Sequence, residues 1–392
     1  MKKALEEEIL RSIEEIMPQL SHIAKTLYEN PEIGGEEKLA SRLLCEFLTE
    51  NGFSVEKDYW KIPHAFRAVY DSGREGAAVG LFAEYDALPD IGHGCGHNLI
   101  CVTSLGAAVS LKKAVDEAGG KVVVFGTPGE ENLQTKTVMT PEGAFDEIDV
   151  AMMIHPQPEG TSCCEKTLAV ESLQIDFFGK ASHAGLAPEE GINALDAAVL
   201  CYTMISMKKQ YFPETNVHGI IGEGGKKASV ITPYANLKYL TRAWDMERLA
   251  DLRTMVENCA EAAAKATGCS FKVFNNEMTN AALMSNKHIL DVFEKYLRRF
   301  GEENISHEDV KISTDMGDVS QRIPSIHPLV SLDCPDAALH SKEFAEATMT
   351  DYAEVYLRRC ISALCFTAAE ILEDEKLLED IKSEFASKKR GA

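Results

Sequence analysis

The chain has 392 residues, 45% hydrophobic and 26% charged, a balance typical of a globular protein with room for two domains. Its net charge of -22 disfavours binding to nucleic acid, and we find no signal peptide or apolar run long enough to predict a membrane partner. The 11 cysteines are scattered and not grouped as in a small secreted scaffold. We therefore expect a cytoplasmic protein with reduced thiols.

The first 165 or so residues alternate between helical and strand patterns. In chain order, the sequence predicts an N-terminal helix with Leu5, Ile9, Ile13 and Ile16 on one stripe, a helix over 35–51, a strand over 79–88, a helix from Asn98 to Ala118, and strands over 121–126 and 149–154. This order predicts a mostly parallel sheet flanked by helices.

The alternation changes after residue 167. The pattern over 168–276 reads β-α-β-β-α-β, the order of a ferredoxin-like α+β fold. We predict a domain over 168–280 that is inserted into a first domain made of 1–167 and 281–392. The second part should end in a long helix over 341–378, broken in the middle.

A glycine-rich loop provides the first chemical signal. In Gly92–His97, the side chains of His93, Cys95 and His97 are separated only by glycines, so an extended chain would project all three to one side. This spacing is typical of a metal-binding loop. A glycine-rich turn with incidental histidines is the alternative.

Other candidate ligands follow predicted strands. Asp86 comes at the end of the first strand, Glu130-Glu131 just after the second, and His155 after the third. Ligands of open α/β sheets collect at this edge. Thiolate, imidazole and carboxylate together suit Zn²⁺ or another borderline ion, and more than four ligands indicate two ions. Taken alone, Glu130-Glu131 would be interpreted as exposed surface residues or as a helix cap, and His155 as a buried core histidine.

These residues carry a family resemblance that covers nearly the whole chain. The sequence resembles the superfamily of aminoacylases, carboxypeptidases and amidohydrolases, which are dinuclear metallopeptidases. Within it, the chain is similar to the subgroup of aminobenzoyl-glutamate hydrolase and beta-alanyl dipeptidases. The matching motifs are 83–89, 92–98, 126–131, 155–156, 179–184 and 339–341.

The resemblance implies a dimerisation or lid role for the inserted domain, a homodimer, and two Zn or Mn ions per subunit. Cys95 would bridge the ions, Glu130 would be the general base, and Asp86 would orient a ligand. His183 would stabilise the oxyanion in a partner subunit's site. The other implied metal ligands are His97 and His155 at one ion and Glu131 and His340 at the other, and the substrate-binding candidates are Arg242, His218, Ser313, Thr314 and Asp315.

The sequence departs from the carboxypeptidase branch of the superfamily at two ligands. Its His-x-Asp motif reads Glu84-Tyr85-Asp86, and its bridging aspartate is Cys95; both changes are shared by the amidohydrolase subgroup. The Asn-x-Ile-Pro stretch expected before Arg242 reads Ser229–Pro233, a third difference, which affects the substrate pocket.

We predict a metal-dependent amidohydrolase or dipeptidase. It would use metal-activated water, with Glu130 as base, to cleave an amide bond to an amino acid with a free carboxylate. Small peptides or N-acyl amino acids are the predicted substrates. The alternatives are an N-acyl amino acid deacylase and a non-catalytic metal-dependent scaffold.

Overall fold

The structure is a computed structural model that describes residues 2–391. Amphipathic patterning accounts for its outer helices: the predicted stripe of α1 is buried along its whole length. The helices are α1 Lys3–Glu29, α2 Lys38–Glu50, α3 His97–Ala118, α4 Thr135–Met139, α5 Ala194–Lys208, α6 Met246–Thr267, α7 Lys287–Arg299, α8 Met316–Ser320, α9 Lys342–Ala347, α10 Asp351–Glu373 and α11 Glu375–Gly391.

The strands fall into three sheets. Strands with near-continuous apolar runs are buried on both faces, as expected for the centre of a parallel sheet. The described strands are β1 Ser54–Lys57, β2 Phe66–Asp71, β3 Ala78–Ala83, β4 Lys121–Gly126, β5 Val150–Met152, β6 His155–Gln157, β7 Thr161–Ser162, β8 Ala169–Phe178, β9 Asn216–Glu223, β10 Tyr234–Ala243, β11 Ser270–Asn275, β12 Ile305–Ser306, β13 Ser325–Ile326 and β14 Leu329–Ser331.

The chain divides into two units. The first consists of Met1–Lys166, Leu283–Val310 and Asp318–Ala392. The second consists of Thr167–Ala282 together with the short segment Lys311–Gly317. The segment 311–317, which contains the predicted pocket residues Ser313, Thr314 and Asp315, thus belongs to the second unit.

The first unit is an α/β layer structure. Its main sheet has the order β1-β2-β4-β3-β5-β13, in which β4, β3, β5 and β13 are parallel and the β1-β2 edge is antiparallel. The helix α3 packs against this sheet and against α1 and α10. A smaller sheet, β12-β7-β14-β6, lies in the same unit. The predicted sheet flanked by helices is confirmed.

The central helix of this unit has an apolar composition throughout. By length and hydropathy α3 is the one described helix that could cross a membrane, but 89% of the relevant stretch is buried inside the protein. A helix that is hydrophobic on all sides is expected in the core of a large domain, where every face meets another element.

The second unit has the predicted β-α-β-β-α-β order. Its antiparallel sheet runs β11-β8-β10-β9, and α5 and α6 pack on this sheet around a separate apolar core. Asn193 caps α5 by accepting a hydrogen bond from Leu195 N, and Asp245 caps α6 in the same way through Arg248 N. The ferredoxin-like fold is thus confirmed.

Several predicted element ends are wrong. Strand β3 ends at Ala83 instead of Leu88, and β5 covers only Val150–Met152. Helix α3 begins at His97 with Gly96 as its N-cap, because Asn98 instead turns inward and donates to Thr348 Oγ1 at 3.0 Å.

The predicted long C-terminal helix is three helices. Between α9 and α10, the hydroxyls of Thr348 and Thr350 donate to backbone carbonyls three residues earlier. Hydroxyl side chains of this kind favour caps over helix interiors. The second break is at Asp374, whose carboxylate accepts a hydrogen bond from Leu377 N at the start of α11.

Candidate active site

The glycine-rich loop is a turn and not an extended chain. Gly96 N donates to His93 O at 3.0 Å, and Gly96 has a φ of 80°, which favours glycine. The turn buries His93, which belongs to none of the ligand groups. The side chains of His93, Cys95 and His97 therefore do not project to one side as predicted. His93 is therefore a buried loop residue outside the ligand groups, whereas Cys95 and His97 belong to them.

Cys95, His97 and His155 form a first group of possible metal ligands. One ligand atom from each lies within 4.8 Å of the others, and Cys95 Sγ is 3.3 Å from His155 Nε2. His155 Nδ1–H donates to Pro156 O at 2.6 Å, which turns its Nε2 toward the group. Burial lowers the pKa of His155, which favours the neutral ring that a metal needs.

Asp86 lies where it can orient this group. The Nδ1–H of His97 donates to Asp86 Oδ1 at 3.1 Å, and Glu131 N donates to Asp86 Oδ2 at 3.1 Å. Burial alone would lower the pKa of His97, but Asp86 and Cys95 more than offset it and raise that pKa above its ordinary value. Burial likewise opposes the charge on Asp86, yet His97 lowers the pKa of Asp86 to about 2. The Asp86 carboxylate therefore fixes both the His97 ring and the turn that carries Glu131.

A second group consists of Cys95, Glu131 and His340. Their ligand atoms also lie within 4.8 Å of one another, with Glu131 Oε1 and His340 Nε2 3.3 Å apart. His340 has a φ of 63°, and its backbone N–H donates to Gly94 O at 2.9 Å. This hydrogen bond ties the distant segment to the loop that carries Cys95.

Glu130 lies beside both groups without being needed by either. A carboxylate oxygen of Glu130 is within 4.8 Å of ligand atoms of His97 and Glu131. The turn that carries it follows β4, so the backbone directs two consecutive acidic side chains to the carboxyl edge of the sheet. A carboxylate at this place can exchange a proton with a molecule held between the two groups.

The donor atoms fit a pair of metal ions. Thiolate sulfur, imidazole nitrogen and carboxylate oxygen are the mixture that zinc and similar ions prefer. Nε2 of His97 is buried and makes no hydrogen bond within the described chain, so it is available to a ligand. Because Cys95 belongs to both groups, it is placed to be shared by two ions.

Three of the predicted site residues lie in the main segment of the second unit. His183 is exposed in the loop after β8, and its Nδ1 accepts backbone hydrogen bonds from Gly185 N and Leu186 N. Arg242 is half-buried on β10, and among residues 2–391 its guanidinium has no ion-pair or hydrogen-bond partner. His218 is exposed on β9.

The predicted pocket loop lies in the short segment of the same unit. Thr314 and Asp315 are buried there and Ser313 is half-buried. The Thr314 hydroxyl accepts a hydrogen bond from Met316 N at 3.2 Å, which fixes the start of α8.

Three charged or titratable side chains near the first group were missed as candidates. Lys136 and Glu84 form a buried ion pair at 2.7 Å, and the ring of His327 lies edge-on to that of His155 at 5.8 Å between centroids. In the sequence, Glu84 stands out only as a departure from a histidine motif, and Lys136 has the pattern of an ordinary exposed residue. His327 follows β13, a strand of two residues that is too short for a sequence pattern to indicate.

Known proteins resemble the chain over most of its length. It is 35% identical over 394 residues to the Xaa-Arg dipeptidase of Mus musculus, a match that covers 96% of this chain and 91% of that protein. It is 32% identical over 308 residues to one chain of the p-aminobenzoyl-glutamate hydrolase of Escherichia coli strain K12, covering 71% of this chain and 64% of that one.

Solved structures and a family model agree with this fold. A dinuclear metal-binding peptidase of the M20 family from Bacillus subtilis superposes with a TM-score of 0.67 at 17% identity, covering 89% of this chain and 98% of that one. The aminobenzoyl-glutamate utilization protein of Klebsiella pneumoniae has the same score at 16% identity, covering 89% and 96%. Residues 170–268 match the peptidase dimerisation domain model. The chain belongs to the M20 family of metal-dependent peptidases and amidohydrolases.

Proposed function

We propose that this M20 hydrolase is a dipeptidase that uses two divalent ions, zinc or manganese, and has Glu130 as its general base. The observation that carries the proposal is that Cys95 belongs to both ligand groups, with the Glu130 carboxylate beside them. The substrate would be a dipeptide whose C-terminal residue has a free carboxylate.

The chemistry can be assigned to particular side chains. When bound, the ions would supply the Lewis acidity that activates water and polarises the carbonyl. Glu130 would accept the water proton and deliver it to the leaving amine. Asp86 would keep the His97 ring fixed by accepting its Nδ1–H hydrogen bond. A ligand held in the wrong orientation would lower the reaction rate.

The second unit would supply two substrate contacts. Because Nδ1 of His183 accepts two backbone hydrogen bonds, the neutral ring carries its proton on Nε2, where it is a donor suited to an oxyanion. The guanidinium of Arg242, which has no partner among the described residues, suits the substrate carboxylate by a bidentate contact. The further candidates for the substrate pocket are His218, Ser313, Thr314 and Asp315.

We further propose that the preferred C-terminal residue is cationic. Two observations support this: the net charge of -22, which attracts cations, and the extended similarity to an Xaa-Arg dipeptidase. The main competing function is an N-acyl amino acid deacylase, which is favoured by 28% identity over 255 residues to the N-acetyl-L-cysteine deacetylase of Bacillus subtilis strain 168.

A matched substrate panel tests these proposals. We expect kcat/KM for Ala-Arg to exceed that for Ala-Leu by at least about tenfold, the scale of one favourable charge interaction. Ala-argininamide, which lacks the carboxylate, should be a poor substrate. N-acetyl-arginine has the same leaving group as Ala-Arg, so faster hydrolysis of N-acetyl-arginine would favour the deacylase. A chelator should abolish turnover and added metal should restore it; persistent turnover in metal-free protein would contradict the metal mechanism.

We also propose a homodimer formed through the second unit. Strand β9 is an edge of its sheet, and exposed apolar residues lie on it and on α5, among them Ile220 at 55% exposure and Met207 at 56%. Light scattering should give twice the chain mass. Ile220→Lys should shift the protein to monomer, whereas Phe271→Lys on the opposite edge, β11, is a matched control that should remain dimeric. If Phe271→Lys is monomeric and Ile220→Lys remains dimeric, the interface lies at β11 instead.

In such a dimer, His183 would act in the partner's site. His183→Ala and Glu130→Gln homodimers should each be nearly inactive. After subunit exchange in equal amounts, heterodimers with one intact site should restore about a quarter of wild-type activity. No recovery after demonstrated exchange would mean that His183 acts within its own subunit or not at all.

We propose a cytoplasmic location as well. All 11 cysteines are free thiols, and nine of them are buried. Proteins of oxidising compartments usually pair their cysteines. Fractionation of the source cells, with thiol counting on the isolated protein, tests this location; recovery outside the cytoplasm would refute it.

A further inference from the structure

A fully buried ion pair lies directly behind the first ligand group. Lys136 Nζ is 2.7 Å from Glu84 Oε1, and the two side chains are only 0% and 1% exposed. Lys136 also lies 3.3 Å from Thr127 Oγ1. Desolvation usually cancels the attraction in such a pair, so stability alone is a weak reason for two charges in the core.

The second oxygen of Glu84 points at a metal-ligand residue. Glu84 Oε2 is 3.6 Å from His97 Nε2. Because Nδ1 of His97 is already bonded to Asp86, Nε2 is the atom that would face an ion. The Glu84 carboxylate is therefore adjacent to the position of an ion held by Cys95, His97 and His155.

The contacts of Glu84 account for a charged carboxylate in the core. Lys136 Nζ lies 2.7 Å from Oε1, so one oxygen of Glu84 has a buried ammonium as its partner. Lys136 is thus the cation that fixes Glu84 from the side opposite His97.

We propose that Glu84 and Lys136 are positioning residues that set the metal affinity of the Cys95–His97–His155 site. Lys136 holds one oxygen of Glu84, and the other oxygen contributes negative charge beside the ion. The inference rests on the proposed two-metal function, and it assigns to these residues a role in metal binding and not in the transfer of protons.

Metal titration separates this role from a purely structural one. With Zn²⁺ or Mn²⁺ and calorimetry, Glu84→Gln should weaken the affected site by about 100-fold, because a buried ammonium then faces the cation without its counter-charge. The double variant Glu84→Gln/Lys136→Met removes that repulsion. It should be about tenfold weaker than wild type, and so about tenfold tighter than the single variant.

A second ion pair of the same unit provides the control. Arg359 and Glu302 are 2.8 Å apart, each with 11% of its side chain exposed, and neither belongs to a ligand group. Glu302→Gln should lower the melting temperature of the metal-free protein without changing its affinity for metal. Equal loss of metal affinity in Glu302→Gln and Glu84→Gln would mean that a disturbed fold explains both.

Stoichiometry distinguishes failure of this inference from failure of the proposed function. Wild type that binds fewer than two ions by equilibrium dialysis and elemental analysis would contradict the two-metal function itself. If wild type binds two ions and Glu84→Gln binds both with unchanged affinity, the positioning role alone is refuted. If Glu84→Gln does not fold, the charge-balanced double variant decides, and wild-type affinity in it overturns the inference.

Discussion

Gly96→Ala tests how the fold brings the ligand segments together. Gly96 lies between Cys95 and His97 and has a φ of 80°, a conformation that costs other residues about 1–2 kcal/mol. A Cβ placed there would lie 2.5 Å from Cγ of Pro156, so something must move. Overpacking of this kind adds about 1–3 kcal/mol. We therefore expect Gly96→Ala to lower the free energy of unfolding by about 2–5 kcal/mol.

The same overlap should affect metal binding, because Pro156 follows His155 directly. Its rigid ring cannot turn aside like a flexible side chain, so relief would move the His155 backbone away from Cys95. We expect weaker binding of one of the two ions in calorimetric titrations with zinc. Urea unfolding of the metal-free protein measures the stability loss separately.

Gly52→Ala is the matched control. Gly52 has a φ of 86° just after α2, but a Cβ there would meet no atom within 4 Å. Gly52→Ala should lower the free energy of unfolding only by the conformational term, about 1–2 kcal/mol, and should bind metal like wild type. If the two variants unfold at the same urea concentration and bind metal equally well, the steric argument at Gly96 is wrong.

Three further predictions concern the base, the shared ligand and acid stability. Glu130→Gln should retain metal by elemental analysis while kcat falls about 100-fold or more; unchanged turnover in the metal-loaded variant would exclude Glu130 as the base. Cys95→Ser should lower metal occupancy, because a hydroxyl is a poorer ligand at neutral pH, and full occupancy would argue against a shared thiolate. Glu384 accepts hydrogen bonds from Lys287 N and His288 N at the start of α7; burial opposes its charge, but Lys388 and these donors lower its pKa from 4.5 to about 2. A lowered pKa in the folded state stabilises the protein above pH 4.5, and this contribution, at most about 3 kcal/mol, should be lost as the pH falls from about 4.5 toward about 2. Glu384→Gln should remove that part of the pH dependence in urea unfolding, and an unchanged acid profile would refute the assignment.

Simple rules of α/β sheets were enough to predict that several site residues converge. Asp86, Glu131 and His155 each follow a strand of the main sheet, so their meeting at one edge follows from the element order. The element order predicts the edge of the sheet at which these residues lie, but it does not predict the distances between their side chains. The contact from Asp86 to Glu131 N depends on a turn that the sequence pattern does not specify.

Long-range features could not be predicted from local patterns. His340 lies more than 200 residues beyond Cys95 in the chain, and only the family resemblance suggested it. Its position depends on a left-handed residue and one hydrogen bond to Gly94 O, neither of which has a periodic signal. Lys136 was missed because a lysine in a short polar stretch usually faces water, and its burial depends on a carboxylate more than 50 residues away.

The two ligand groups differ in how firmly they are held, which bears on how the ions bind. In the first group, His97 and His155 are each fixed by a hydrogen bond through Nδ1, and His97 is fully buried. In the second group, the side chain of His340 is 54% exposed and its backbone is in a conformation that costs about 1 kcal/mol or more. Fixed ligands lose less conformational entropy when they bind. We therefore expect two unequal steps in a metal titration, and His340→Ala should remove only the weaker step. If this substitution abolished the tighter step instead, the order of affinities argued from burial and hydrogen bonding would be reversed.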